Sequence, residues 1–215
     1  MKTYIVVGLG RFGTEAACQL CAHGAEVLAM DTSSELVQRV SDSVTHAVVG
    51  DARDKSVLRA LGAAQFDCAI VAIGDSLADS VLATMNLKEL GIPKIICKAH
   101  DETHREVLRK LGADQVVIPE KENAARLAKN LTTPNVLEYI ELSPDYGIVE
   151  VPAPQKWFNK TLIELNVRAT LGVNIIAIKR NEQFDVSPSA QYKILEGDVL
   201  VIVGGTAELK AVQKL

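Results

Sequence analysis

Tyr4-Ile5-Val6-Val7-Gly8-Leu9-Gly10-Arg11-Phe12-Gly13 carries an apolar run straight into a G-x-G-x-x-G turn, and the segment after it, Thr14 to Ala22, is rich in helix formers. Strand, turn and helix in that order give each glycine a separate task. Gly8 permits the tight turn out of the strand, Gly10 lets the backbone come close to a phosphate, and Gly13 lets the helix pack closely on the strand. The first N–H groups of such a helix have no partner within it and can hold an anion. A glycine turn alone is a weak signal, but here a second strand, Glu26 to Met30, ends in Asp31, eighteen residues beyond Gly13. An acid about 20 residues on is placed to accept hydrogen bonds from ribose hydroxyls, and it repels a 2′-phosphate, which argues against NADP.

Outward from this unit the chain keeps alternating. Apolar strands are expected at Thr3–Gly8, Glu26–Asp31, Thr45–Gly50, Cys68–Ile73, Lys94–Lys98 and Gln115–Ile118, with helically spaced apolar residues between them. Strands that are apolar on both faces are those of a buried parallel sheet. Six β-α units predict an α/β, Rossmann-like doubly wound sheet in the order 3-2-1-4-5-6. Thr32-Ser33-Ser34-Glu35 reads as a capping box, and Gly62, Gly91 and Gly112 each end a helix.

The alternation stops near residue 119. A helix is expected over 121–131, a break at Thr132-Thr133-Pro134-Asn135, and a further short helix over Val136–Leu142. Short strands then dominate: Gly147–Val151, Asn174–Lys179 and Asp198–Val203, with helices near Thr161–Leu165 and Ala207–Leu215. The organisation expected is a nucleotide-binding domain over 1–120, a helical crossover or linker over 121–144, and a small α+β domain over 145–215.

Composition excludes several classes. The 215 residues are 48% hydrophobic and 23% charged, as in an ordinary globular protein. The net charge of −4 offers no pull toward nucleic acid or anionic lipid. The apolar runs are too short to cross a bilayer and no signal peptide precedes the first strand, so a cytoplasmic protein is expected, with any membrane role supplied by a partner. Cys18-x-x-Cys21 followed by His23 lacks the fourth ligand of a closed zinc site and reads as small core residues.

Ligands of open α/β sheets sit beyond the carboxyl ends of the strands. That rule nominates Arg11 within the turn, Asp31 after strand two, Asp51 and Ala52 after strand three, and Ile73 and Gly74 after strand four. It adds Lys98 and His100 after strand five and Glu120 after strand six. Arg11 would bind phosphate oxygens as a fork. Asp51 could read an adenine edge or simply begin a helix. Lys98 is suited to a phosphate. Glu120 could share a cation with a polyphosphate or only favour a helix dipole. No G-x-S-x-G, H-E-x-x-H or G-x-x-x-x-G-K-[ST] sequence is present, and residues 145–215 hold neither His nor Cys. No catalytic set emerges, which weakens the rival reading, an NAD-dependent oxidoreductase or NAD(H)-responsive redox sensor.

The glycine turn, Ile70-Val71-Ala72-Ile73-Gly74, Leu111-Gly112-Ala113-Asp114, Ile118-Pro119-Glu120-Lys121, Asn174 to Arg180 and Glu196-Gly197-Asp198-Val199-Leu200 together resemble the regulatory subunits of Ktr and Trk potassium-uptake systems. These are proteins built from RCK domains, and the resemblance spans essentially the whole chain. It implies ATP or ADP in the N-terminal domain, with NAD(H) as an alternative, held by Gly8, Gly10, Arg11, Phe12, Gly13, Asp31, Thr32, Asp51, Ala52, Ile73, Gly74, Lys98 and Glu120. Arg11 would contact terminal phosphates, and Glu120 would help hold a divalent or monovalent cation near the γ-phosphate. Homodimers would assemble into an octameric ring beneath a membrane-embedded KtrB- or TrkH-type potassium-translocating subunit. Cyclic di-AMP is implied at Arg168, Asn174, Ile175 and Pro188 of the C-terminal domain. Asp51 departs from the family pattern, which often has a neutral amide there.

Overall fold

The computed structural model describes residues 1–74, 76–132, 138–181 and 183–213. They form two compact units, 1–122 and 123–215.

The first unit contains β1 (Thr3–Val7), α1 (Arg11–Ala22), β2 (Glu26–Asp31), α2 (Ser34–Val40), β3 (His46–Val49), α3 (Lys55–Ala60), β4 (Cys68–Val71), α4 (Leu77–Glu89), β5 (Lys94–Lys98), α5 (Glu102–Lys110) and β6 (Gln115–Val117). The sheet order is β3-β2-β1-β4-β5-β6, parallel throughout, with Ile5 opposite Leu28 on one side and Ala69 on the other. This is the doubly wound order the sequence predicts. Period-two alternation divides the strands between two cores. Ile5, Val7, Leu28 and Met30 pack with Leu58, Ala83, Leu87 and Leu108 of α3, α4 and α5. Val6, Val27 and Ala29 pack with Ala17, Val37 and Val40 of α1 and α2. Both faces of the sheet are therefore covered, as its apolar strands require.

The helix starts are made locally. Ser33, Asp54, Ser76 and Asp101 accept hydrogen bonds from first-turn N–H groups of α2, α3, α4 and α5. The cap of α2 is thus Ser33, one residue after the Thr32 that the capping-box reading assigns. Gly62, Gly91 and Gly112 follow their helices with positive φ, as expected.

Helix α6 runs Pro119–Thr132. The second unit then holds β7 (Glu138–Ser143), β8 (Tyr146–Pro152), α7 (Leu162–Leu165), α8 (Val167–Leu171), β9 (Asn174–Arg180), β10 (Gln183–Asp185), β11 (Val199–Gly205) and α9 (Thr206–Gln213). Its antiparallel sheet has the order β10-β9-β11-β8-β7 around a core that includes Val149, Trp157, Ile178, Leu200 and Ile202. One expectation is overturned here. The helix expected over Val136–Leu142 is strand β7 from Glu138 onward, paired with β8 through Tyr139↔Val149 and Ile140↔Ile148. Residues 133–137, with most of the expected break, lie outside the described residues.

Asp198 ties the second unit together. It is 1% exposed and accepts from Arg180 Nε at 2.5 Å, Arg180 Nη2 at 2.8 Å and the Leu195 N–H at 2.9 Å. Burial alone would raise its pKa, but the guanidinium and the Leu195 N–H outweigh burial and hold it below the usual carboxylate value.

Candidate nucleotide-binding cleft

A cleft of about 310 Å³ opens at the carboxyl ends of β1, β2, β3 and β4. Its position follows from the sheet: the turns after adjacent parallel strands meet there. Gly8 has φ +92, and a Cβ on it would sit 3.0 Å from the backbone of Ala72 and Ile73, so only glycine lets the first turn lie against the end of β4. Gly13 is buried in α1, where a Cβ would fall 1.8 Å from the Gly8 carbonyl oxygen. The close helix–strand approach read from the sequence is therefore present.

Asp31 faces two ways. Its Oδ2 accepts the Leu9 N–H at 2.6 Å and its Oδ1 accepts the Ser33 N–H at 2.8 Å, while the residue also lines the cleft. The carboxylate thus braces the glycine turn and the start of α2 while remaining open to a ligand.

The mouth carries a feature absent from the sequence reading. Arg53 donates from Nε and Nη2 to Asp51 and from Nη1 to Asp79 at 3.0 Å. The hydrogen bond from Arg53 holds the Asp51 carboxyl below its ordinary pKa. Asn86 Nδ2 on α4 donates to the Ala52 and Arg53 carbonyl oxygens and fixes this loop. Because Arg53 occupies its carboxylate, Asp51 contributes chiefly as part of an ion-paired rim. Arg53 follows the end of strand three and was within reach of the strand-end rule; Asp79 and Asn86 arrive from α4 and carry no local signal.

Of the residues expected to hold a nucleotide, Gly8, Gly10, Asp31, Thr32, Asp51, Ala52, Ile73 and Gly74 line the cleft. The remaining five do not. Arg11 is the exposed first residue of α1. Phe12 packs against the core of Val6, Leu9 and Ala17. Gly13 acts from beneath the turn. Lys98 Nζ is 2.8 Å from Glu120 Oε1, and this ammonium holds the Glu120 carboxyl below its usual value. A Cβ built on Gly74 would lie 3.6 Å from His100 Cε1 and 3.8 Å from Lys98 Nζ, so Lys98 at the end of β5 and His100 just after it border the cleft's edge.

Glu120, where a cation shared with the γ-phosphate is implied, offers an exposed carboxylate. Among the described residues no three His, Cys, Asp or Glu side chains converge, and the carboxylate of Glu120 already pairs with Lys98. Cys18, Cys21 and His23 likewise form no such group; the two thiols are half-buried on α1.

In the second unit, Arg168 is exposed on α8, Asn174 begins β9 and is exposed, Ile175 packs against the core and Pro188 is half-buried after β10. None of the four lines the open depression of that unit, which Asp145, Gly172, Gly205 and Glu208 help form.

Parallel order, glycine turn and strand-two acid define a Rossmann-like nucleotide-binding fold. Residues 4–119 match the TrkA-N domain and residues 147–215 the TrkA-C domain, so the chain belongs to the family built from these two domains. It is 42% identical over 213 residues to Ktr system potassium uptake protein C of Bacillus subtilis (strain 168), covering 99% of this chain and 96% of that one. Over 209 residues it is 43% identical to Ktr system potassium uptake protein A of the same organism, covering 97% and 94%. The crystal structure of the GsuK RCK domain matches with a TM-score of 0.68 at 23% identity. That match covers all of this chain and 47% of the other, so the chain spans about half its length and the likeness speaks for the fold. Among the described residues no helix is long and apolar enough to cross a membrane.

Proposed function

We propose that this protein is the nucleotide-sensing regulatory subunit of a Ktr-type potassium-uptake system and not an enzyme. The observation that carries the reading is the cleft where Gly8, Gly10 and Asp31 converge, in a chain whose identity to Ktr proteins is near full length. In this reading Asp31 receives the ribose hydroxyls. The phosphates lie along the glycine turn and the free N–H groups of α1. The adenine lies toward Ala52 and Arg53, whose guanidinium can stack on a base.

ATP and ADP share these contacts and differ at the terminal phosphate, where Arg11, exposed at the start of α1, supplies a fork. A ligand shifts an equilibrium only by its preference for one conformation. Discrimination between ATP and ADP therefore has to arise at that phosphate. The assembly is a homodimer built up into an octameric ring, docked at the cytoplasmic face of the membrane on a KtrB- or TrkH-type potassium-translocating subunit. Cyclic di-AMP is a second input through Arg168, Asn174, Ile175 and Pro188. NAD(H) would use the same turn and the same Asp31, and it is the alternative ligand of the cleft.

The test is calorimetric titration of nucleotide-stripped protein with ATP, ADP, NADH and cyclic di-AMP, joined to potassium-uptake assays of cells lacking their own Ktr regulator. ATP and ADP binding, with uptake restored by wild type and lost in Arg11→Ala, supports the reading. Tight NADH binding without response to ATP or ADP replaces it with a redox sensor.

A further inference from the structure

The cleft has two walls that the sheet keeps apart. The loop after β3 supplies Asp51, Ala52 and Arg53, and the start of α4 supplies Ser76 and Asp79. In the order β3-β2-β1-β4, two strands lie between the strands that lead into these walls, a separation of about 14 Å at ~4.8 Å per strand. Arg53 nevertheless joins the walls. Its Nη1 donates to Asp79 Oδ1 at 3.0 Å, while Nε and Nη2 donate to Asp51 at 2.9 and 2.6 Å. The link has a rigid root and a weak end. Asn86 Nδ2 donates to the Ala52 carbonyl oxygen at 3.0 Å and to that of Arg53 at 2.8 Å, and the Arg53 N–H donates to Asp51 Oδ1 at 2.9 Å, so the backbone beneath the guanidinium is pinned. The far contact is one hydrogen bond between Arg53 and Asp79 side chains that are 46% and 34% exposed. A pair so exposed is weak and opens readily.

We propose that the Arg53–Asp79 pair is a latch across the base end of the cleft, which sets how fast a nucleotide enters and leaves and not which nucleotide is preferred. The proposal rests on the nucleotide reading of the cleft. With its backbone pinned, the latch opens by rotation of the Arg53 side chain alone, and exposed side chains rotate in picoseconds to nanoseconds. Opening therefore stands in equilibrium before each encounter, and the entry rate is scaled by the open fraction. The pair re-forms over a bound base, with the guanidinium plane against the ring, and the exit rate is scaled in the same way. ATP and ADP share the base end, so the latch slows the exchange of both alike. It governs how closely the occupancy of the cleft follows the nucleotide pool in time.

The test uses the full chain, stripped of nucleotide, and 2-aminopurine riboside 5′-triphosphate, whose base fluorescence changes on stacking. Stopped-flow mixing gives the entry rate constant, and a chase with excess ATP gives the exit rate constant. Asp79→Ala removes the far anchor of the latch and leaves Asp51 and Asn86 in place. Both rate constants are expected to rise by roughly two- to fivefold, the scale of an exposed ion pair. The dissociation constant, which is their ratio, should move less than either. Asp79→Asn, which keeps a weaker acceptor, should fall between wild type and Asp79→Ala. Melting curves confirm that each variant is folded.

Two simpler roles for Asp79 give different signs. A carboxylate that only repels the phosphates would, on removal, raise the entry rate and not the exit rate. A residue that only touches the ligand would raise the exit rate and not the entry rate. Either pattern overturns the latch, as do two rates unchanged from wild type. Wild-type protein that binds neither this triphosphate nor ATP brings down the nucleotide reading itself, an outcome distinct from wild-type binding with unaltered exchange in the variants.

Discussion

The Leu9 backbone N–H donates to Asp31 Oδ2 at 2.6 Å, so the acid proposed to receive a ribose is also the brace of the glycine turn. A residue with both tasks links binding to stability. Asp31→Ala should lose a hydrogen bond to a charged group, worth about 1.5–3 kcal/mol. That corresponds to roughly 3–12 °C in melting midpoint at ~2–4 °C per kcal/mol for a chain of this size. Scanning calorimetry without ligand checks this, and titration with adenosine checks the second task. A variant that loses adenosine affinity with an unchanged midpoint would show that the brace contributes nothing.

Two glycines three residues apart should fail in different ways. A Cβ on Gly10 meets nothing within 4 Å, and its φ of −65 suits any residue. Gly10→Ala should therefore fold like wild type and bind ATP far more weakly, since its methyl enters the space a phosphate needs. A Cβ on Gly13 would lie 1.8 Å from the Gly8 carbonyl oxygen, a backbone atom that cannot step aside alone. Gly13→Ala should lose upward of about 4 kcal/mol or fail to fold, the range of severe core overpacking. Circular dichroism melts paired with ATP titration distinguish the two; comparable stability in both variants would contradict the packing argument.

Much of this was legible because the signals were local. The glycine turn, the acid ending β2 and the apolar strands each report a constraint held by neighbours in sequence, and together they predict the strand order. Strand β7 was misread because Tyr139, Ile140 and Leu142 suit either a helix face or a strand. Its true partner, β8, decides the matter through cross-strand pairs that no local pattern reveals. The cleft rim was missed for the same reason. Asp79 and Arg53 are separated by 26 positions and meet because α4 packs beside the loop after β3. Phe12 is among the expected nucleotide contacts through the family resemblance, but its half-buried side chain packs against the core.

The Asp198–Arg180 pair should hold the second unit. Removing one partner of a buried pair costs about 3–5 kcal/mol, and the exposed side of Arg180 brings the expectation to the lower end of that range or below it. Asp198→Ala should lower the denaturation midpoint of the second unit and leave ATP affinity unchanged. The folded-state pKa of Asp198 is depressed. Its contribution is therefore complete above the ordinary carboxylate value near 3.8 and is lost as pH falls through the lower folded value. Urea titration followed by Trp157 fluorescence, at pH 7 and at pH 3, checks both statements. A variant as stable as wild type at pH 7 would remove the pair from the account.

His104 gives the first unit its own pH response. It is 5% exposed, and its Nδ1 accepts the His100 N–H at 3.4 Å, so the proton of the neutral ring is on Nε2, which has no partner among the described residues. Burial, aided by the charge of nearby His100 and opposed by Asp101, lowers its pKa below the ordinary 6.5. In the unfolded chain His104 takes up a proton at the ordinary value, and in the fold it does so only at lower pH. Its contribution to stability is therefore complete above pH 6.5 and is lost as pH falls from there through the folded value, at most about 1.4 kcal/mol per pH unit. Thermal melts of wild type and His104→Gln at pH 7.5, 6.5 and 5.5 test this, glutamine keeping an acceptor but no titration. The wild-type midpoint should fall more steeply toward pH 5.5 than that of the variant. Parallel curves would mean that the ring is as easily protonated in the fold as out of it, and that its burial does not govern its charge.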